Sequence, residues 1–238
     1  MAAHPPPMPH GPIRTLFPGV WFAPSTIRMT WPPLTFSRNM VVVRGERGLV
    51  LLNPVRLSEA AEATLLREGP ITHALRLGTY HGRDDAYYVD KFGAELWGVP
   101  GRHTYETPAL AREIADGGAL PIPGARALVF ARATLPECVV HLPEHRLLVT
   151  CDSVQHYEND DRLSLLARLV MYPMGFFKPC VIGPIWLKAV TPEGGSVRSD
   201  FERILALDFD CLVSGHGTPK LGGAKDALRA QVERLPAS

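Results

Sequence analysis

Two short apolar runs in the second half of the chain each lead into a side chain that can bind a metal ion. Residues 147–152 run Leu-Leu-Val-Thr-Cys-Asp and end in Asp152, and residues 212–219 carry His216 between two glycines. Runs of this length and apolarity predict buried strands. A carboxylate and an imidazole at strand ends are side chains that a metal-dependent hydrolase uses.

A third fragment, residues 76–81, lies earlier in the chain and ends in His81. Together His81, Asp152 and His216 make a set of two histidines and one carboxylate. Such a set suits catalytic zinc or ferrous iron, because three protein ligands leave coordination positions open. A metal held there would lower the pKa of its bound water towards about 7. The alternative is that these polar residues at strand ends hydrogen-bond to one another without a metal.

Other polar residues lie close to these three in the sequence. Asp84 and Asp85 follow the third fragment and are candidate replacement ligands, although acidic residues at a helix start also complement the helix dipole. His156 lies four residues beyond Asp152, and it is either a ligand or general base or a surface loop histidine. Tyr80 either donates a hydrogen bond to a substrate oxyanion or only packs. Asp152, His156 and Tyr80 are therefore the candidate catalytic residues.

The composition is that of an ordinary globular protein. The chain has 238 residues, of which 46% are hydrophobic and 21% are charged, and this length allows a sizeable core. The formal net charge of +1 gives no electrostatic case for binding nucleic acid or an anionic membrane surface. We expect a small-molecule substrate, no nucleic-acid partner and no integral membrane segment, because no stretch reaches about 18 uninterrupted apolar residues.

The cysteines and the N-terminus predict a cytoplasmic protein. The four cysteines include no CxxC pair, and so few cysteines in a chain of this size do not predict a disulfide framework. Residues 1–12 are rich in proline and lack the basic start and apolar core of a signal peptide. They predict a disordered leader, followed by a single domain over residues 13–238.

The order of the predicted elements indicates an α+β fold. Two β-rich runs, residues 39–44 and 48–52, flank a short glycine-containing turn, which predicts a hairpin. Ser58 and Ser199 are predicted N-caps of two helices. Later strands alternate with helices, and the pattern repeats loosely in two halves. This arrangement predicts an αββα sandwich, in which two mixed sheets lie face to face with helices outside.

These residues resemble the metallo-β-lactamase superfamily from about residue 20 to residue 235. Residues 142–152, a hairpin that ends in aspartate, are similar to the fourth motif of that family. The Ser-Gly-His-Gly run at residues 214–217 is similar to its fifth motif. Residues 201–210 look like a divergent, uncharacterised bacterial branch. The resemblance implies the same sandwich fold.

The chain also departs from the family pattern. Active members carry a His-x-His-x-Asp-His motif, which falls on residues 76–81 of this chain. Its first two histidines are replaced by Arg76 and Gly78. The histidine of the third motif falls near Ala133, and the aspartate that usually ends the early hairpin is Asn53. The resemblance therefore implies that the first metal site of the family is lost.

The ligands that remain describe half of the family's metal centre. His81, Asp152 and His216 correspond to ligands of the second metal site, whose own aspartate is replaced by Tyr80. The motif is thus incomplete, and the family's two-metal chemistry is not expected. A centre with one divalent metal ion is the most that the resemblance implies.

An apolar stretch lies between the two family motifs, at residues 160–192. Arg168, Pro173 and Lys178 interrupt it and exclude a simple membrane span. The family places substrate-specific insertions at this point. We therefore expect a lid, a lipophilic pocket or a homodimer surface over residues 163–190, with an ordinary pair of core helices as the alternative.

Three functions remain open on this basis. The first is a divergent metallo-β-lactamase-fold hydrolase, in which one divalent metal, zinc rather than iron, activates water against a small, lipophilic substrate. The second is a metal-free binding or structural protein that kept the fold and lost the site. The third is a mononuclear iron oxidoreductase, since the same ligands suit ferrous iron. Fold alone cannot choose among them.

Overall fold

The structure is a computed structural model that describes residues 4–237. The strands of its first sheet are β1 (Arg14–Phe17), β2 (Val20–Arg28), β3 (Thr35–Arg44), β4 (Leu49–Leu52), β5 (Ile71–Arg76), β6 (Glu95–Gly98) and β7 (Arg112–Glu113). They lie side by side in chain order. Neighbours are antiparallel from β1 to β4 and parallel from β4 to β7, so the sheet is mixed. The predicted hairpin is the pair of β3 and β4.

The second sheet is mixed as well. The later strands are β8 (Arg126–Val129), β9 (Cys138–Leu142), β10 (Leu147–Thr150), β11 (Val154–Gln155), β12 (Val181–Ile182), β13 (Cys211–Ser214) and β14 (Lys220–Leu221). Five of them form the second sheet in the order β14-β13-β10-β9-β8, and β11 pairs with β12 separately. In the five-stranded sheet, β10 and β13 are parallel and the other pairs are antiparallel.

Helices cover the outer faces of both sheets. They are α1 (Glu59–Leu66), α2 (Asp85–Phe92), α3 (Leu165–Met171), α4 (Pro184–Val190), α5 (Arg198–Leu205) and α6 (Ala224–Val232). Helices α1 and α2 pack on the first sheet, and α4, α5 and α6 pack on the second. This confirms the predicted αββα sandwich. Among residues 4–237, no helix has the length and apolarity needed to cross a membrane.

Alternate residues of the strands serve two different cores. In β3, Val41 and Val43 belong to the core between the sheets, whereas Met40 and Val42 pack under α1 and α2. In the second sheet, Val149 of β10 joins the core between the sheets. Both faces of these strands are therefore buried, which explains their continuous apolar sequences. Each such buried side chain contributes roughly 1.5–3 kcal/mol to folding.

One of the two predicted helix caps is correct. The hydroxyl of Ser58 accepts a hydrogen bond from the amide of Ala61 and caps α1. The prediction for Ser199 is wrong, because α5 begins at Arg198 and Ser199 lies inside the helix. The hydroxyl of Ser196 accepts a hydrogen bond from the Arg198 amide at 3.1 Å. The helix thus receives its side-chain hydrogen bond three residues earlier than predicted.

The described part of the predicted leader, residues 4–12, makes defined contacts with the sandwich. The Thr26 hydroxyl donates to the Pro9 carbonyl at 2.9 Å, and the guanidinium of Arg83 donates to the Pro6 carbonyl at 3.0 Å. These contacts depart from the disorder that the proline content predicts. The first three residues lie outside the described residues, and the division into leader, single domain and insertion stays a prediction.

The apolar segment of residues 163–190 is partly core and partly surface. Ala167 and Met171 of α3 are buried in a small cluster that includes Leu34. Trp186 of α4 packs in the core under the second sheet. The remaining side chains of α3 leave a large apolar area exposed. The alternative of an ordinary core helix pair therefore describes only one face of this segment.

Candidate metal centre

The parallel pairing of β10 and β13 brings two of the predicted ligands together. Thr150 lies opposite Ser214 in the register of these strands, so the chain leaves both strands at the same edge of the sheet. Asp152 and His216 each follow two residues later. Nε2 of His216 lies 3.0 Å from Oδ1 of Asp152. Asp152 and His216, which the sequence places at strand ends, are therefore in direct contact.

His81 joins this pair from a loop after β5 of the other sheet. Its Nε2 lies 3.2 Å from Nε2 of His216 and 3.7 Å from Oδ2 of Asp152. All three residues offer ligand atoms that lie within 4.8 Å of one another. Ligands that share one ion at about 2.0–2.2 Å lie about 3–4.4 Å apart. The three side chains therefore form a group that could hold one metal ion.

A polar triplet in β3, residues 37–39, orients the ring of His216. Nδ1 of His216 donates to the Ser37 carbonyl at 2.6 Å, so Nε2 is the nitrogen that faces the other two ligands. This is the support that a metal-binding histidine usually has on its second nitrogen. Asn39 holds the same loop by donating to two of its carbonyls, at 3.1 and 2.9 Å. Ser37 and Asn39 are both buried.

The glycines on either side of His216 are required by close approach. At Gly215 a methyl group would lie 2.9 Å from Cε1 of His81. At Gly217 φ is +80°, and a methyl group would lie 1.9 Å from the His156 carbonyl oxygen. Only glycine combines this backbone conformation with so little space. The Gly-His-Gly run therefore serves to pack the His216 loop between two other loops.

Replacing Gly217 with alanine should lower the free energy of unfolding by more than about 2 kcal/mol. The left-handed conformation alone costs about 1–2 kcal/mol for a residue with a Cβ, and the backbone clash adds to it. Chemical denaturation would measure the loss. Gly194→Ala is the matched control, because φ there is +67° and nothing lies near the position of a Cβ. Equal losses in the two variants would contradict the role of close packing.

Burial and pairing set the charges of the three side chains. Burial lowers the pKa of His81, so its ring is neutral near pH 7. Burial acts in the same direction on His216, but the hydrogen bond to Asp152 outweighs it and raises the pKa of that ring. Burial would raise the pKa of Asp152, yet His81 and His216 hold it well below its usual value. Asp152 is therefore ionised near pH 7, and its carboxylate favours the protonated form of His216 when no metal competes.

The support behind His81 differs from that behind His216. Nδ1 of His81 is buried, and within the described chain it has no hydrogen-bond partner. Buried polar atoms are nearly always paired, and a metal-bound histidine usually donates its second N–H to an acceptor. The orientation of His81 is thus held by packing, whereas that of His216 is held by a hydrogen bond to Ser37.

The two predicted replacement ligands are paired with arginines instead. Asp84 accepts a hydrogen bond from Arg38 at 2.9 Å, and Asp85 accepts one from Arg76 at 2.7 Å. All four side chains are buried. Within residues 4–237, the groups that could hold a metal ion include neither carboxylate. A ligand role for Asp84 or Asp85 stays a prediction to which these contacts give no support.

The positions of the missing histidines are filled in other ways. Arg76 forms the buried ion pair with Asp85. At Gly78 a methyl group would already lie 2.8 Å from Sγ of Cys151 and 3.0 Å from Oε2 of Glu137. A histidine at residue 78 would therefore have to displace buried side chains. This packing supports the expected loss of the first metal site.

Glu137 is a buried carboxyl group for which the sequence patterns provide little signal. It is 1% exposed, and it accepts a hydrogen bond from the Ser153 amide at 2.6 Å. With Cys151 and Asp152 it forms a second group that could hold a metal ion. The only sequence signal is one acidic residue directly before the apolar run of residues 138–142.

Replacing Glu137 with glutamine should make stability less dependent on pH. Burial, with the charge of Asp152, raises the pKa of Glu137 well above its usual value. The folded state then keeps a proton that the unfolded chain releases above about pH 4.3. Stability should therefore fall as pH rises, by up to about 1.4 kcal/mol per pH unit, until the folded-state pKa is reached.

Denaturation of chelator-treated protein at several pH values would measure this effect. The difference in unfolding free energy between Glu137→Gln and the parent should grow with pH in favour of the variant. Glu113→Gln is the control, because Glu113 is exposed. A difference for Glu137→Gln that is constant over pH would show that the carboxyl is ionised in the folded protein.

An apolar cavity of about 470 Å³ opens beside two of the three candidate ligands. Its lining includes Tyr80, Asp152 and His216. The rest of the wall is mainly apolar and includes Leu34, Phe36, Tyr157, Val170, Met171 and Trp186. Tyr80 is 44% exposed. The structure thus places Tyr80 with two of the predicted ligands.

His156 lies apart from this group and makes other contacts. Its Nε2 is 3.4 Å from the Glu158 carboxylate, and its Nδ1 accepts a hydrogen bond from the Cys180 amide at 3.5 Å. Its carbonyl accepts one from the Thr218 amide at 2.7 Å. Burial lowers the pKa of its ring. These contacts are structural, and a catalytic role for His156 stays a prediction.

All four cysteines are free thiols. Burial raises the pKa of Cys180 to about 12, and it also raises the pKa of Cys138 and Cys151. Thiols with such pKa values stay protonated near pH 7 and react slowly. Cys138, Cys151 and Cys180 are therefore packing residues in the structure, with Cys151 also next to the Glu137 carboxyl.

Comparison with known proteins finds similar structures but no similar sequences. No family model matches the chain, and no curated protein matches it. The metallo-β-lactamase FIM-1 from Pseudomonas aeruginosa, solved in its mono-zinc form, is 12% identical with a TM-score of 0.60, and the alignment covers 98% of each chain. A metallo-β-lactamase from Erythrobacter litoralis is 14% identical with a TM-score of 0.59, covering 94% of this chain and 92% of its own.

A third solved structure, VMB-1, is 13% identical with a TM-score of 0.62. Its alignment covers 93% of this chain and 95% of its own. The similarity in all three cases extends over nearly the whole length of both chains. At identities this low, it shows a shared fold alone.

Proposed function

We propose that this chain, which has the fold of the metallo-β-lactamases, is a hydrolase that uses one divalent metal ion and acts on a small, lipophilic molecule. The observation that carries the proposal is the convergence of His81, Asp152 and His216 beside an apolar cavity. The similar structures from Erythrobacter litoralis and Pseudomonas aeruginosa are metallo-β-lactamases, and the latter, FIM-1, is of a mono-zinc form. Both facts support a one-zinc centre here.

Three observations support the fit of a metal to these residues. The ligand atoms are 3.0–3.7 Å apart, as expected for ligands of one ion. The ring of His216 is oriented by Ser37. Two nitrogens and one oxygen suit zinc or ferrous iron, and zinc is the one we propose. A bound zinc ion would supply Lewis acidity and a hydroxide near neutral pH.

The side chains around the centre have separate tasks in this proposal. Asp152 stays ionised near pH 7, because its two histidine neighbours outweigh the effect of burial, and it can accept a hydrogen bond from water. Tyr80 lines the same cavity, and its hydroxyl donates a hydrogen bond to the substrate oxygen on which negative charge develops. His216 is held in position by Ser37.

The cavity wall determines the kind of substrate that we propose. Leu34, Phe36, Met171 and Trp186 offer an apolar surface to the non-reacting part of the molecule. An apolar wall next to the ligands lowers the local dielectric constant, which strengthens polar interactions there. A molecule with an apolar chain and one hydrolysable bond fits this arrangement better than a sugar or a nucleotide does.

A series of p-nitrophenyl esters of increasing acyl length tests the proposal on zinc-loaded protein. The value of kcat/KM should rise about fourfold per added methylene, since each buried CH₂ contributes about 0.8 kcal/mol, until the cavity is filled. Val170→Trp, which narrows this cavity, should reduce the rate for long chains at least about tenfold and leave the acetate ester unaffected.

Leu66→Trp is the matched control for that substitution. Leu66 lies at the end of α1 and is 39% exposed, close to the 41% of Val170. It should leave the dependence on acyl length unchanged. A rate that is independent of acyl length would contradict a lipophilic site. No hydrolysis of ester, thioester, lactone or amide substrates by metal-loaded protein would contradict the proposed reaction.

A metal-free binding protein is the second candidate, and one observation favours it. Asp152 and His216 pair with each other at 3.0 Å, so neither of these two side chains needs a metal as its partner. In that case the cavity would bind a lipophilic molecule without hydrolysing it. If the protein instead retained iron, the third candidate, an iron oxidoreductase, would take precedence.

We also propose a reducing compartment such as the cytoplasm for this protein. The support comes from its cysteines, all of which are free thiols. A disulfide-forming compartment commonly leaves paired cysteines in secreted domains. Mass spectrometry of alkylated protein from its native cells would test this, since intermolecular disulfides there would contradict it.

A further inference from the structure

Exposed apolar side chains are concentrated around the mouth of the apolar cavity. All but two of the large exposed hydrophobic residues in the described chain lie in residues 29–31, at Tyr80 or in residues 165–185. We define the apolar rim as six of these residues: Trp31, Leu165, Leu169, Tyr172, Met174 and Ile185. Their exposed fractions run from 40% at Met174 to 86% at Trp31. An exposed patch of this extent usually marks a binding surface.

The residues of the rim come from two parts of the chain that are held together. Met29, Met174 and Ile185 line the same cavity. The backbone of Thr35 is joined to Ser164 by two hydrogen bonds, from the Thr35 amide to the Ser164 hydroxyl at 3.2 Å and from the Ser164 amide to the Thr35 carbonyl at 3.1 Å. These bonds fix the start of β3 against the start of α3.

Packing of the fold explains only one side of α3. Ala167 and Met171 point inward and are buried. Leu165 and Leu169 lie one turn apart on the opposite side, and their exposed fractions are 84% and 70%. Serine or lysine at these two positions would serve a water-exposed helix equally well. The two leucines are therefore unexplained by the stability of the isolated chain.

The charged residues close to the rim in the sequence are mostly cations. Neither residues 1–45 nor residues 162–192 contain an aspartate or a glutamate. The cations Arg28, Lys178 and Lys188 are exposed and lie three or four residues from a rim residue in the sequence, where Asp161 is the one exposed acidic residue at such a distance. The net charge of +1 is the sum over the whole chain, and these two segments, which contain no acidic residue, are more positive than the rest of the chain.

This distribution of charge favours a lipid surface over a second copy of the chain. In a twofold dimer the same patch faces itself, so Arg28, Lys178 and Lys188 would face the cations of the other copy. An anionic lipid surface attracts all three. Tryptophan and tyrosine prefer the headgroup level of a bilayer, and exposed leucines insert below it. Trp31 and Tyr172 supply such aromatic groups.

We propose that the apolar rim binds reversibly to the surface of a bilayer that contains anionic lipids, so that the mouth of the cavity faces the lipid. The contact is peripheral, with side chains inserted to the level of the headgroups. It does not depend on whether the site hydrolyses its ligand. A lipophilic molecule would then pass from the bilayer into the cavity without crossing water.

Vesicle flotation of the full chain tests the proposal. The protein should float with phosphatidylcholine vesicles that contain phosphatidylglycerol, and added salt should weaken this binding. The Leu165→Ser/Leu169→Ser variant should lose at least about tenfold in partition coefficient. Lys178→Glu should lose at least about fivefold with the anionic vesicles and little with phosphatidylcholine alone. Leu221→Ser is the control, since Leu221 is 56% exposed elsewhere on the surface.

The outcomes separate this proposal from the alternatives. Absence of flotation, or equal flotation of the parent and the double leucine variant, would overturn it. A dimer in light scattering that the same double variant converts to monomers, without flotation, would assign the rim to a second copy. Flotation should persist after a chelator has removed any bound metal. Failure of the proposed hydrolysis would therefore not affect this test.

Discussion

Replacing Arg76 with methionine should lower the free energy of unfolding by about 3–5 kcal/mol, the usual loss when one partner of a buried ion pair is removed. The Arg76 guanidinium donates to the Asp85 carboxylate at 2.7 Å and to the Tyr105 carbonyl at 2.7 Å. The side chains of Arg76 and Asp85 are 2% and 0% exposed. Burial raises the pKa of Asp85 even with this partner, so an unpaired Asp85 would be still harder to ionise.

Two control variants define the cause of this loss. The double variant Arg76→Met/Asp85→Leu should recover most of the stability, because it leaves no unpaired buried charge. Arg47→Met should cost less than about 1 kcal/mol, since Arg47 and Glu95 form their ion pair on the surface, with side chains 66% and 40% exposed. Urea denaturation measures all three. A double variant as unstable as Arg76→Met would show that side-chain packing, rather than charge, makes Arg76 important.

Replacing Asp152 with asparagine should weaken zinc binding by more than about a hundredfold. Loss of a residue that merely supports a ligand costs about 10–100-fold, and Asp152 is the only anionic member of its group with His81 and His216. Competition with a chromophoric chelator measures the affinity. In the parent, the affinity should fall as pH drops through the raised pKa of His216, because that ring must lose its proton to bind a metal.

His156→Gln is the matched control for the Asp152 substitution. His156 is buried close to the site in sequence, but its ring contacts Glu158 and the Cys180 amide. It should leave zinc affinity within about threefold of the parent, below the lower end of the range for residues that support a ligand. A loss of affinity as large as that of Asp152→Asn would show that the metal is bound near His156 instead.

The sequence predicted most of the candidate site because its signals are local. Asp152 and His216 each follow an apolar run, and strands of that type lie in parallel next to each other in the sheet. His81 came from the family motif rather than from local pattern. Once β10 and β13 pair, the chain has little freedom to separate the two strand-end residues.

The supporting residues could not be predicted because they act over long sequence distances. Ser37 binds His216 at a separation of 179 residues, and Asn39 binds the same loop at separations of 175 and 178. Residues 37–39 are three consecutive polar residues inside a strand, which is an unusual pattern. That pattern indicates a buried polar role, but it does not identify the partner.

Long-range contacts also explain why the structure gives no support to Asp84 and Asp85 as metal ligands. Asp84 and Asp85 have the right chemistry and position for metal ligands, and the sequence cannot show that Arg38 and Arg76 reach them first. Arg38 lies 46 residues from its partner. The sequence thus shows that a side chain could bind a metal. Whether an arginine pairs with that side chain instead depends on the fold.

Elemental analysis of protein purified without chelators, beside the Asp152→Ala/His216→Ala variant, tests the central claim most directly. The parent should contain about one zinc ion per chain, as expected for one set of three protein ligands, and the variant should contain close to none. Circular dichroism would confirm that the variant is folded. Substoichiometric metal in the parent, unchanged in the variant, would contradict the metal centre and leave a binding protein with the same fold.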